Sequence, residues 1–217
     1  MLVPELAGRD RGDTEELRTA VRRAVARIGA PRWTAIGVGA TEARLGPDTA
    51  GTFAGFGADV PVQLGRAASA FDPELPLAAL IAGWLRPADV DIDMRLVAPD
   101  DSPVFCTDLG RAVRAEIDAD PQPHGVLIVA DGASTLTPKA PGAFDERSVD
   151  FQADVDRALQ GGDPDALAVL DPVVCAELGA AGRPAWQVLA GLIDAPKVEN
   201  LYCAAPFGVA YYVGVWS

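Results

Sequence analysis

The spacing of apolar residues changes along the chain, and each change marks an element. Leu17, Val21, Val25 and Ile28 recur three or four residues apart, which puts them on one face of a helix that begins at Glu15 and Glu16 and closes at Gly29. Asp13 or Thr14 is placed to cap it. Trp33 to Val38, WTAIGV, is a short uncharged run that predicts a buried strand. Leu75 to Leu85 is apolar almost all round, as a buried helix is, with Pro76 in its first turn and an end before Pro87. Asp91 to Val97, DIDMRLV, alternates apolar and polar positions and predicts a strand nearer the sheet edge. Thr107 to Ile117 reads as an amphipathic helix facing inward through Leu109, Val113 and Ile117.

Gly125 to Ala130 is aliphatic and uncharged, and predicts a central strand buried on both faces. Asp131-Gly132 ends it, and a loop runs on to Phe144 before a helix over Val149 to Leu159, which Gly161-Gly162 stops. Three short helices follow, the first two opened by Asp163-Pro164 and Asp171-Pro172, each a cap followed by proline at the first helical position, and the third over Pro184 to Ile193. Val198 to Cys203 and Phe207 to Trp216 read as two strands. Strands alternating with helices predict one α/β domain over residues 1–217, with a central mainly parallel or mixed sheet flanked by helices. The glycine-rich stretch from Ala40 to Val60 has little periodicity, and a loop of that length is functional or partly structured.

Charge narrows the partners. Eighteen basic against thirty-one acidic residues give a net charge of -13, which repels phosphate backbones and anionic membranes, so nucleic acid is not an expected partner. No apolar stretch reaches the length of a membrane span, and the start lacks the pattern of a signal peptide, which predicts a cytoplasmic protein with no membrane partner. Cys106, Cys175 and Cys203 are widely spaced and odd in number, so free thiols are expected.

Candidate chemistry is sparse. His124 is the only histidine, so the chain cannot offer two imidazoles to one metal. Asp131, Ser134, Thr135 and Lys139 follow a strand, where open α/β sheets hold ligands, and form one set of pocket candidates. The competing reading is an Asp-Gly turn whose side chains bond their own backbone. Phe53 and Phe56 either wall a pocket or pin their loop down. Gly51, Gly55 and Gly57 do not follow the dinucleotide-binding spacing.

LVPELAG at Leu2 to Gly8, GTFAGFGADVPV at Gly51 to Val62, VADGASTLTPKAPG at Val129 to Gly142 and APFGVAYYVGVW at Ala205 to Trp216 together resemble an actinobacterial group of proteins similar to the catalytic B subunit of class III extradiol ring-cleavage dioxygenases. The resemblance covers nearly the whole chain and implies a single α/β domain with a pocket at one sheet edge. True members hold ferrous iron through two or more histidines and a glutamate, with another histidine as acid/base. Here the chain begins at Met1, so the first strand and its ligand are expected to be absent. The histidine position after the Trp33 strand falls at Gly39-Ala40, the Ser-His position is Ser134-Thr135, and Ala180 to Gly191 contains no acid.

The expectation is therefore a dioxygenase-like scaffold with no cofactor or metal and without ferrous ring cleavage, binding a small molecule or a protein partner through the loops at 40–60 and 131–144. The second reading is a diverged oxidoreductase or other enzyme that uses the same pocket with different polar residues. The third is a structural subunit; the apolar segment Tyr211 to Trp216 would allow a homo-oligomer by pairing at a sheet edge.

Overall fold

A computed structural model describes residues 2–6 and 14–217. The chain folds as an α/β protein with a mixed sheet and helices packed against it, and it divides into two compact units. The first comprises the residues up to Ala98 with Asp120–Val129; the second comprises Pro99–Ala119 and Ala130–Ser217.

In the first unit, helix α1 (Glu15–Ile28) leads into strand β1 (Arg32–Val38), and Gly29 turns the chain between them at φ 57°, a left-handed value that glycine adopts without strain. Thr14 stands at the helix start, but its hydroxyl accepts from Arg18 Nη1 at 2.6 Å rather than capping the backbone. Asp13, the other expected cap, lies outside the described residues. The sheet has the order β2 (Ala43–Leu45), β6 (Asp91–Val97), β1, β7 (His124–Val129). β1 runs parallel to β6 on one side and β7 on the other, while β2 pairs antiparallel with β6.

This order corrects two expectations. β6 is interior, because the three residues of β2 cover its outer side, and its alternating burial reflects its two faces rather than an edge. β7 is a terminal strand, and all but Gly125 of its residues are only half-buried; β1, buried from Trp33 through Ile36, is the central one.

Helix α2 (Leu77–Leu85) packs on the face of the sheet that carries Trp33, Ala35 and Gly37. Glycine at 37 lets Ala78 and Met94 close over the strand, and glycine at 125 does the same for Ile28 of α1. Pro76 stands just before α2 with extended geometry, outside the first turn. The stretch from Ala40 to Val60 is structured: β2, then β3 (Thr49–Thr52), then a 3-10 turn at Phe53–Phe56. β3 lies between β4 (Pro61–Gln63) and β5 (Ala70–Phe71) in a small second sheet.

The second unit is built around α3 (Pro103–Ala119) and α7 (Arg183–Leu192). Any side chain at Gly110 would strike Val188 and Gly191, and one at Gly191 would strike Thr107, so the two backbones approach where both residues are glycine. The buried face of α3 runs through Cys106, Gly110 and Val113; Leu109, expected on that face, is only half-buried. Arg183 is 2% exposed and is held by carbonyls: Nη1 donates to Asp101 O at 2.6 Å and to Gln187 Oε1 at 2.8 Å, and Nη2 donates to Pro99 O at 2.6 Å. Gln187, one turn on, donates to Ala168 O and Leu170 O.

Helix α4 (Arg147–Gly161) ends at Gly162, φ 66°. Asp163 and Asp171 cap α5 (Pro164–Ala168) and α6 (Pro172–Glu177) through their side chains, as their Asp-Pro pairs predict. The C-terminal strands β8 (Val198–Ala204) and β9 (Tyr211–Trp216) form an antiparallel hairpin of their own, with β9 starting four residues later than expected. The hairpin is fastened by Tyr212 Oη and Trp216 Nε1, which both donate to Leu159 O at 3.1 Å. No described helix is long and apolar enough to cross a membrane.

Candidate functional site

The loop that follows β7 belongs to the second unit from Ala130 onward and is pinned at nearly every step. Gly182 N donates to Asp131 O at 2.9 Å, Ala133 N to Gln152 Oε1 at 2.8 Å, and Ala210 N to Ala133 O at 3.3 Å. Further along, Thr135 Oγ1 donates to Leu178 O at 2.9 Å, and Ser148 Oγ donates back to Thr135 O at 2.9 Å. Gly142 N and Asp145 N close the loop on Ser134 O and Thr135 O. Glycines make room for it. A Cβ at Gly142 would stand 2.7 Å from Thr135 Cγ2, and Gly179, at φ 66°, leaves the space beside the Ser134 hydroxyl. The loop is therefore a fixed support for whatever side chains it leaves uncommitted.

Asp131 is such a side chain. It is exposed, and its carboxyl accepts no hydrogen bond among the described residues. Surrounding protein nonetheless desolvates the carboxyl enough to push its pKa above the ordinary aspartate value. The Ala210–Ala133 bond runs β9 past the loop, so Tyr211 arrives beside Asp131. The Tyr211 hydroxyl is pushed up by burial first, then by the negative charge of Asp131, then by Tyr202. Tyr202 pairs with Val213 and Ala204 with Tyr211 in the hairpin register, so Tyr202 and Tyr211 are diagonal neighbours on one face.

The other candidates divide. Ser134 is half-buried and its hydroxyl has no hydrogen-bond partner among the described residues, whereas Thr135 is buried and committed to Leu178. Lys139 is exposed and has no carboxylate partner among the described residues. Phe53 and Phe56 belong to the first unit; Phe53 is fully buried in its core, and Phe56, 51% exposed, meets it edge to face with ring centroids 6.2 Å apart. Those two rings pin the turn that carries them.

Below the loop, Gln152 Nε2 donates to Asp156 Oδ1 at 2.7 Å. Burial, with the nearby Asp156 charge adding to it, pushes the Cys203 thiol up to about 11. Cys106 and Cys175 are buried free thiols, Cys203 an exposed one. The sequence alone does not mark Tyr211 or Gln152 as neighbours of this loop. The alternation in YYVGVW was a signal for a shared face, but nothing local shows that this face runs beside Asp131.

His124, at the start of β7, contacts Thr34 Oγ1 through Nε2 at 2.8 Å, and five strand steps separate it from Val129, about 16 Å. Among the described residues no three histidine, cysteine, aspartate or glutamate side chains converge as a metal site. No known family model matches the chain, and no curated protein is detectably similar to it.

Proposed function

We propose that this chain is a class III extradiol dioxygenase-like protein without ferrous ring-cleavage chemistry that binds a small molecule at the loop following β7. Asp131 is the polar anchor of that site, Ser134 a second polar group, and Tyr211 one wall. The observation that carries the reading is the Asp131 carboxylate itself, crowded by protein, open to solvent and without a hydrogen-bond partner among the described residues. A desolvated carboxylate without donors is costly, and a folded chain sheds that cost most easily at a side chain that a ligand serves. The absence of a converging ligand set among the described residues supports separating the scaffold from iron chemistry.

Two measurements test this. After anaerobic incubation with ferrous iron and desalting, metal content by mass spectrometry is expected far below one per chain, and catechol with oxygen is expected to yield no ring-cleaved product; one iron per chain with turnover overturns the chemistry. A screen of neutral aromatic fragments by amide chemical shifts is expected to move residues 131–135 and 211. Shifts confined to other surfaces overturn the site.

A further inference from the structure

We propose that the exposed corner of α5 and α6, where Val169, Val173 and Val174 stand among carboxylates, docks a basic amphipathic helix of another protein. The inference uses other residues than the ligand site and stands independently of it.

The two short helices bury one side and leave the valines out. Leu167 of α5 and Cys175 and Leu178 at α6 are fully buried, so the core is closed without them. Val169 is 79% exposed, Val173 is 65% exposed, and Val174 is exposed as well. Exposed apolar residues scattered singly are ordinary, but three branched aliphatic side chains within six residues make a patch, and patches mark interaction surfaces. The backbone beneath this one is fixed. Gln187 Nε2 donates to Ala168 O and Leu170 O, the carbonyls on either side of Val169. Asp171 Oδ1 accepts from Val173 N and Val174 N. A partner therefore meets a preorganised surface and orders no loop on binding.

Charge selects the partner. From Asp163 to Gly182 the chain carries Asp163, Asp165, Asp171 and Glu177 and no lysine or arginine. Asp165 stands one helical turn before Val169, and Glu177 one turn after Val173. Glu177 pairs with Arg147 at 2.9 Å, while among the described residues no cation pairs with the other three acids. A second copy would set these carboxylates against one another, and an anionic partner would meet them and a chain of net charge -13. A helix with an aliphatic stripe flanked by lysine or arginine answers both features, the stripe on the valines and the cations on the carboxylates.

The probes are three peptides of equal length titrated into the full chain and followed by amide shifts: lysine and leucine at helical spacing, the same with serine for leucine, and the same with glutamate for lysine. The lysine-leucine peptide is expected to shift amides between 165 and 177 and to bind at least fivefold tighter than the lysine-serine peptide, with no binding of the glutamate-leucine peptide. Val169→Ser combined with Val173→Ser, checked for an intact amide spectrum elsewhere, is expected to weaken the lysine-leucine peptide at least fivefold and to leave the lysine-serine peptide unchanged. Shifts confined to other surfaces, or binding that ignores the two valine substitutions, overturn the docking surface. Equal binding of the glutamate-leucine peptide at these residues overturns the basic partner. A chain that sediments as a dimer and becomes monomeric on the valine substitutions assigns the surface to a second copy and overturns the proposal.

Discussion

The amide of Ala210 donates to the carbonyl of Ala133 at 3.3 Å, and this bond ties the loop after β7 to the start of the C-terminal hairpin. It brings Tyr211 to Asp131 across 80 residues of sequence. Gly132 makes the approach possible, since a Cβ there would stand 2.7 Å from Ala210 Cβ and 3.0 Å from Gln152 Oε1. Gly132→Ala is expected to lower stability by about 1–3 kcal/mol, as overpacking does. It is also expected to return the Asp131 pKa toward its ordinary value. Gly161→Ala, at the end of α4 with nothing within 4 Å of the new methyl, is the control. It is expected to be neutral or to stabilise by up to about 1 kcal/mol in urea denaturation.

Asp131 also predicts a pH dependence with a definite sign. Burial raises its folded pKa above the unfolded value, so the folded chain holds this proton more tightly. That contribution favours the fold at low pH and is lost as pH rises through the folded pKa. The titratable group beside the carboxyl is Tyr211, whose hydroxyl is pushed above the ordinary tyrosine value. Asp131→Asn is therefore expected to be as stable as the native chain or more stable at pH 7. The difference should close as pH falls below the unfolded value of 3.8, as read by thermal unfolding across a pH series. A variant that is less stable at neutral pH would show that the carboxylate has structural partners.

Arg183 is a buried cation whose hydrogen bonds go to Pro99 O, Asp101 O and the Gln187 amide. Arg183→Met keeps much of the volume and leaves those acceptors without their donor. The expected loss is about 2–4 kcal/mol in guanidinium unfolding, with an unchanged denaturant slope.

Cys203 is exposed yet expected to be a poor nucleophile. Its thiol is pushed up to about 11, so at pH 7.4 the thiolate is scarce, and its reaction with a disulfide reagent should run roughly a hundredfold slower than that of free cysteine. Asp156→Asn, which removes the adjacent charge, is expected to speed it.

Local chemistry was legible in the sequence. The two Asp-Pro caps, the glycine that closes α1 and the helical faces each depend on residues within a few positions of one another. Strand order was not. Gly125–Val129 and Trp33–Val38 are equally aliphatic, and such a run reports burial without saying which neighbour lies on which side. The chain passes from β1 to β6 and then returns to the far side of β1 for β7, a choice made by the connections between strands. The candidate site was legible by half, because Asp131 and Ser134 follow from their position after a strand. Tyr211, its proposed wall, depends on the hairpin lying against the loop, which no local pattern encodes.

The most direct test of this account is the titration of the Asp131 side-chain carboxyl carbon by NMR in the full chain. The account predicts a pKa above the ordinary aspartate value, because the surrounding protein desolvates the carboxyl. An Asp131 pKa at or below the ordinary value would contradict it.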